Sequence, residues 1–158
     1  MKIEHLKNLS IISFIVSMLV LLVGGYISID KVPPYPDRVV SSTGDLLFDY
    51  NEIVRGQNVY QKYGLMDHGN VWGHGTLRGP DFSAQTIRLI LEYGRNYLAE
   101  NLFKQNYSQL SVDQKSIIDN RIKKEIKENR YTKSTRTLVL TDWQRFALLK
   151  VREYYENL

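Results

Sequence analysis

The side chains with the clearest capacity for chemistry lie in one glycine-rich stretch, YGLMDHGNVWGHGTLRGPDF. It contains His68 and His74, with Asp67 and Asp81 in the same stretch. Imidazole and carboxylate groups are transition-metal ligands, so these four residues form a candidate metal site. The alternative is that they make hydrogen bonds within a loop or contact a partner, because such loose spacing is common by chance.

A second pattern is counted from Gly56. Tyr60 follows at position +4, Gly64 at +8, Asp67 at +11 and His68 at +12. The opening of a c-type cytochrome has a helix of pattern G-x-x-x-aromatic and then C-x-x-C-H at the same offsets. The segment therefore resembles a cytochrome c opening in which Gly64 and Asp67 replace the two cysteines that hold the haem.

The residues needed to attach a haem are missing. The chain has no cysteine, which excludes thioether attachment, disulfides, cysteine zinc sites and iron–sulfur ligation. Of the three methionines, Met66 lies too near His68 in sequence to reach the opposite face of a haem. We therefore predict a haemless domain in which Gly64, Asp67 and His68 mark a vestigial haem site. A haem held without covalent bonds by His68 alone is the alternative, although one ligand gives little hold.

An uncharged apolar segment precedes these motifs, from Leu9 to Ile29. Its 21 residues would form a helix of about 31 Å, which matches the hydrocarbon core of a bilayer. We predict a transmembrane helix over residues 9–29, with residues 1–8 in the cytoplasm because Lys2 and Lys7 outweigh Glu4 there. A cleaved signal peptide is the alternative, but its apolar region is usually 7–15 residues long.

The rest of the chain is predicted to be a Pro-rich spacer over residues 30–37 and one mainly α-helical domain over residues 38–158 with minor β-strands. Short strands are expected at 38–40 and 46–48 and a β-prone connector at 135–140. Helices are expected over 51–63 with Asn51 as N-cap, over about 83–103, after a capping box at Ser111, and from a second capping box at Thr141 to about Tyr155. The apolar positions expected to face the core are Ile87, Ile90, Leu91, Leu98 and Leu102, then Ile117, Ile118, Ile122 and Ile126.

The distribution of charge limits the classes of partner that the domain could bind. The net charge is +4, and positive and negative residues are interspersed along the domain. No run of Lys and Arg reaches the density of a nucleic-acid patch, so we expect no nucleic-acid partner.

Residues 60–82, YQKYGLMDHGNVWGHGTLRGPDF, closely resemble the N-terminal periplasmic segment of quinol-dependent nitric oxide reductases. The likeness continues through NRYTKSTRTLVLTDWQ and the closing REYYENL, so it covers most of residues 38–158. In that family a haemless cytochrome c–like domain precedes the catalytic membrane domain. In cytochrome c–dependent relatives the equivalent domain is a separate haem-bearing subunit.

The resemblance implies a non-catalytic, membrane-anchored small subunit of such a reductase. The quinol electrons would pass through haem b to a haem b3–nonhaem iron site in a large polytopic partner chain, where two NO become N2O. This chain would cap the outer face of that partner in a bacterial cytoplasmic membrane. The sequence stops at Leu158, so we expect a reductase split into subunits, a small subunit of a related haem–copper-type oxidase, or a fragment of a fused protein.

The resemblance also implies a calcium ion at the interface, held in part by the backbone carbonyls of Gly75 and Leu77; no cofactor is expected on this chain alone. Trp72, His74 and Arg78 are predicted to contact the partner, because Trp and Arg are enriched at interface hot spots. Packing of Trp72 into its own domain's core is the alternative. A membrane-tethered periplasmic binding or sensor module is the alternative function, and an electron-transfer cytochrome is nearly excluded by the absence of cysteine.

Overall fold

The computed structural model describes residues 3–76 and 78–158 and divides the chain into two units, Met1–Tyr35 and Pro36–Leu158. The mainly α-helical class with minor strands is confirmed. The described elements are α1 Ile3–Lys31, β1 Arg38–Ser41, β2 Leu46–Asp49, α2 Tyr50–Lys62, β3 Asn70–Val71, β4 His74–Gly75, α3 Phe82–Phe103, α4 Val112–Lys127, β5 Tyr131–Thr132, β6 Thr137–Leu140 and α5 Asp142–Glu156.

The first unit is dominated by α1, whose segment Ile3–Ile29 is long and apolar enough to cross a membrane. The helix begins six residues before the predicted start at Leu9. Glu4 lies in its first turn, where a negative charge is favourable beside the helix dipole. At its C-terminal end the helix includes the first two residues of the predicted spacer. It ends at Lys31 because Pro33 disfavours helical backbone at the residue before it.

A small mixed sheet in the second unit has the strand order β2-β1-β6-β5. Strand β1 pairs antiparallel with β2 and parallel with β6, and Val39 lies opposite Leu138. The predicted strands at 38–40, 46–48 and within 135–140 are confirmed. Strand β5 was not predicted, since two residues carry no alternation that a sequence pattern could reveal. The sheet joins the start of the domain to the connector that leads into α5.

Three helices of the second unit begin directly after their N-capping residues. The N-cap of α2 is Asp49, not Asn51: its carboxylate accepts the Glu52 N–H at 2.9 Å, and Glu52 accepts the Asp49 N–H at 3.1 Å. The capping box of Ser111 with Gln114 is confirmed at α4. At α5 the Gln144 side chain accepts the Thr141 N–H at 2.9 Å. Each cap satisfies backbone N–H groups that have no partner inside the helix.

The hydrophobic core lies where α3, α4 and α5 meet. Its buried residues are Leu98, Ala99, Leu110, Ile118, Ile122 and Trp143. Four of the predicted core positions are instead about half exposed: Ile87, Leu102, Ile117 and Ile126. The apolar face of each helix is wider than the part its neighbours cover, so periodicity alone placed these four residues in the core.

Candidate functional site

The glycine-rich segment, defined as residues 64–82 apart from Leu77, connects α2 to α3. Gly64 has a left-handed backbone, with φ of 60°, and follows Tyr63, the C-cap of α2. A single 3₁₀ turn over Leu65–Asp67 follows, and then a hairpin made by β3 and β4. The glycine content of this stretch is typical of irregular backbone, but no sequence pattern indicated the hairpin.

Trp72 lies at the tip of this hairpin. Val71 pairs with His74 across the two strands, so Trp72 and Gly73 form a two-residue turn. Their φ angles are 54° and 76°, and positive values at both central residues are the signature of a type I′ turn. The Trp72 side chain is 75% exposed, so it does not belong to the core of its own domain.

Backbone hydrogen bonds hold the base of the hairpin from both sides. The Thr76 N–H donates to the Met66 carbonyl at 2.8 Å, which ties β4 to the 3₁₀ turn. The Asn70 N–H donates to the Pro80 carbonyl at 3.0 Å, which ties β3 to the residues leading into α3. The hairpin is therefore fixed at its base although its tip is exposed.

Close backbone packing accounts for two of the glycines. A Cβ added at Gly79 would overlap the carbonyl oxygen of His68, and one added at Gly75 would overlap the carbonyl oxygen of Gly69. Gly75 also has a φ of 131°, which residues with a Cβ rarely adopt. Glycine at these positions lets two segments of backbone come into direct contact.

The residues of the predicted vestigial haem site lie together in one turn. The Asp67 N–H donates to the Gly64 carbonyl at 2.9 Å, and the His68 N–H donates to the Leu65 carbonyl at 3.1 Å. The side chains of Asp67 and His68 are exposed. Gly56, where the pattern begins, is on the open surface of α2. A relation of this turn to an ancestral haem site stays a prediction.

The predicted partner contacts lie on the hairpin and just after it. Trp72 and His74 are exposed on the hairpin. Arg78 is exposed beyond it, and its backbone N–H donates to Thr76 Oγ1 at 3.2 Å. Of the two carbonyls predicted to hold calcium, that of Gly75 belongs to β4, while Leu77 lies outside the described residues.

The candidate metal site of His68, His74, Asp67 and Asp81 is not formed in the structure. Among residues 3–76 and 78–158, no group of three or more His, Cys, Asp or Glu side chains is close enough to hold a metal ion. Asp81 instead caps α3, where its carboxylate accepts the Ala84 N–H at 3.0 Å. This carboxylate serves the helix start rather than a ligand set with the histidines.

Sequence reasoning missed one side chain of the segment that follows. Ser83 was expected only to begin a helix, yet its Oγ accepts the backbone N–H of Trp72 at 3.0 Å. A serine just after the N-cap Asp81 is compatible with many roles. Only the fold of the hairpin brings Trp72 next to it.

Comparison with known proteins identifies a family for most of the chain. A family model for the NorB cytochrome c-like domain of nitric oxide reductase matches residues 36–158. No curated protein matches the chain. The matched region coincides with the second structural unit, Pro36–Leu158, and includes the whole glycine-rich segment.

Proposed function

This chain belongs to the NorB cytochrome c-like domain family of nitric oxide reductases, and we propose that it is a non-catalytic, membrane-anchored component of a quinol-dependent nitric oxide reductase. In this proposal two NO are reduced to N2O in a large polytopic partner chain that carries haem b, haem b3 and nonhaem iron. The present chain covers the outer face of that partner and shields its haem region from water.

The observation that carries the proposal is an indole ring exposed at the tip of a fixed hairpin. Trp72 is 75% exposed, and Tyr63 and Met66 are 64% and 45% exposed on the neighbouring helix end and 3₁₀ turn. Large exposed apolar side chains on neighbouring parts of the chain are expected where another protein covers the surface. Trp is also the residue type most enriched at interface hot spots.

Arg78, six residues after Trp72 in the chain, carries a positive charge that would suit a partner surface with anionic groups. Arg78 is exposed beside the hairpin and His74 is exposed on it. A guanidinium can donate two parallel hydrogen bonds to one carboxylate, which suits either an acidic side chain or a haem propionate of the catalytic chain. In this proposal Trp72 supplies contact area, while Arg78 and His74 set the register.

Catalysis is assigned to the partner because this chain has few suitable ligands. It has three histidines and no cysteine, and one of the histidines, His5, lies at the start of α1. In the proposed arrangement α1 packs among the partner's helices in a bacterial cytoplasmic membrane. The lysine excess before the apolar segment favours a cytoplasmic N-terminus, with the domain on the periplasmic side.

We also propose a calcium ion between this chain and the partner. Carbonyl oxygens are suitable calcium ligands, and calcium needs six to eight oxygens. Gly75 brings its backbone to the base of the hairpin, whereas the described residues provide no cluster of three or more carboxylate or histidine side chains. In this proposal the Gly75 carbonyl supplies one oxygen from this chain, and other oxygens come from the partner.

The proposal is tested by purifying the full chain with an affinity tag in mild detergent. We expect a haem-bearing polytopic chain in equal amount and consumption of NO driven by a reduced quinol. Reduced cytochrome c should not replace the quinol as donor. A colourless chain that purifies alone would contradict the proposal, and activity with cytochrome c but not with quinol would contradict its quinol type.

A further inference from the structure

We infer that Ser83 is a positioning residue that holds Trp72 in the conformation presented to the partner. The inference rests on the proposed function for the identity of the partner, but the contact itself lies within this chain. The Trp72 N–H donates to Ser83 Oγ at 3.0 Å, across eleven residues of sequence. This bond joins the tip of the hairpin to the first turn of α3.

The turn needs such support because its first central residue is unfavourable. Trp72 has a φ of 54°, in the left-handed region that side chains with a Cβ seldom adopt. Type I′ turns usually place Asn, Asp or Gly at this position. A non-glycine residue in this conformation needs support from its surroundings, and the Ser83 hydroxyl contacts the Trp72 backbone directly.

Ser83 is well placed for this role because it lies in the first turn of α3, a helix with a capped start. Asp81 caps the helix, and Leu89, two turns further along, is buried. Ser83 is half-buried, although the hydrogen bond that it accepts from Trp72 lies at the exposed surface. The bond thus fixes the backbone of Trp72 before the partner arrives, which lowers the entropy lost when the interface forms.

The first part of the test measures the environment of Trp72 in the full chain without its partner. The protein is labelled with 5-fluorotryptophan in detergent micelles, and its two fluorine resonances are assigned with Trp72→Phe. Ser83→Ala should shift the Trp72 resonance and leave that of the buried Trp143 unchanged. Ser83→Thr, which keeps a hydroxyl, should restore the wild-type position. The control is Ser108→Ala, because there the backbone carbonyl rather than the hydroxyl accepts Lys115.

The second part measures retention of the haem-bearing chain in a double-mutant cycle. Ser83→Ala should weaken association by about 3- to 10-fold, the range supplied by one hydrogen bond. It should have no further effect in a Trp72→Ala background, whereas a general effect on folding would persist there. An unchanged Trp72 resonance, or an equal loss in both backgrounds, would overturn the inference. If the wild type retains no haem-bearing chain, the proposed function fails, and the inference is then decided by the fluorine spectra alone.

Discussion

Gly94 of α3 lies directly against the six-membered ring of Trp143 of α5. A Cβ at residue 94 would be 2.6 Å from Cε3 and 2.9 Å from Cζ3 of that ring. Trp143 is 1% exposed and belongs to the core cluster. A glycine in a helix interior is unfavourable by itself, but here it allows α3 and α5 to approach closely over a large aromatic side chain.

Replacing Gly94 with Ala should therefore destabilise the domain. Overpacking a fitted core costs about 1–3 kcal/mol, and because the added Cβ would lie 2.6 Å from the Trp143 ring we expect this cost to outweigh the gain of about 1 kcal/mol in helix propensity. The matched control is Gly56→Ala in α2, where an added Cβ meets nothing within 4 Å and the propensity gain should appear as a small stabilisation. Thermal unfolding of both full-length variants, followed by the near-UV signal of the aromatic residues, compares them. If Gly94→Ala and Gly56→Ala had equal melting temperatures, Trp143 would be shown to move aside without loss of stability.

The Glu125 carboxylate gives the domain a defined pH dependence. It accepts the Trp143 indole N–H at 2.6 Å and the Arg121 guanidinium at 2.8 Å. Partial burial alone would raise the Glu125 pKa, but these hydrogen bonds and the charges of Arg121 and Arg130 outweigh it and lower the pKa below 4.5. Because the folded-state pKa is depressed, this stabilisation is present above about pH 4.5 and is lost as the pH falls through the lower, folded-state value.

Glu125→Gln should remove this part of the acid sensitivity. The amide oxygen can still accept the indole N–H, but the charge that attracts Arg121 is gone. The melting temperatures of wild type and variant should differ near neutral pH and converge as the pH falls below 4.5. Glu92→Gln is the control, since Glu92 pairs with Arg88 on the exposed surface, where ion pairs contribute little. A constant difference between wild type and Glu125→Gln across this pH range would contradict the assignment.

The parts of the fold that could be predicted from sequence are those determined by neighbouring residues. The helix starts after Ser111 and Thr141 follow from capping patterns, and the long apolar run gives α1 its character. The N-cap of α2 was misplaced because both Asn51 and Asp49 are good caps. Only the structure reveals that Asp49 and Glu52 complete the reciprocal pair.

The candidate site was predictable in composition but not in arrangement. Gly75 and Gly79 indicated unusual backbone, yet close contacts with Gly69 and His68 arise only after the chain folds back on itself. The pairing of Trp72 with Ser83 likewise joins two residues whose local patterns carry no sign of each other. Long-range backbone contacts of this kind leave no periodic signal in a single sequence.

The proposed calcium ion predicts that the complex depends on a divalent cation. Treatment of the purified complex with a calcium chelator should release part of the catalytic chain, and added Ca²⁺ should restore the association. Mg²⁺ should not, because it demands a tighter octahedral shell and gives up its water reluctantly. Association that withstands the chelator, in a complex shown by elemental analysis to have lost its calcium, would contradict a role for Gly75 in an interfacial site.

Replacing Trp72 with Ala tests where the association energy lies. If the indole is buried by the partner, the variant should lose about 2 kcal/mol or more of association, the threshold for a hot spot. The domain's own melting should change little, because the ring is 75% exposed and lies outside the core.

The measurement combines retention of the haem-bearing chain in detergent with thermal unfolding of the full-length variant. The matched control is Val112→Ala, which trims another exposed apolar side chain, 82% exposed in the first turn of α4. Trp72→Phe should fall between wild type and Trp72→Ala, because it retains part of the aromatic contact area. Full retention of the partner by Trp72→Ala would remove Trp72 from the interface. A large drop in melting temperature would instead assign the ring a role in stabilising its own domain.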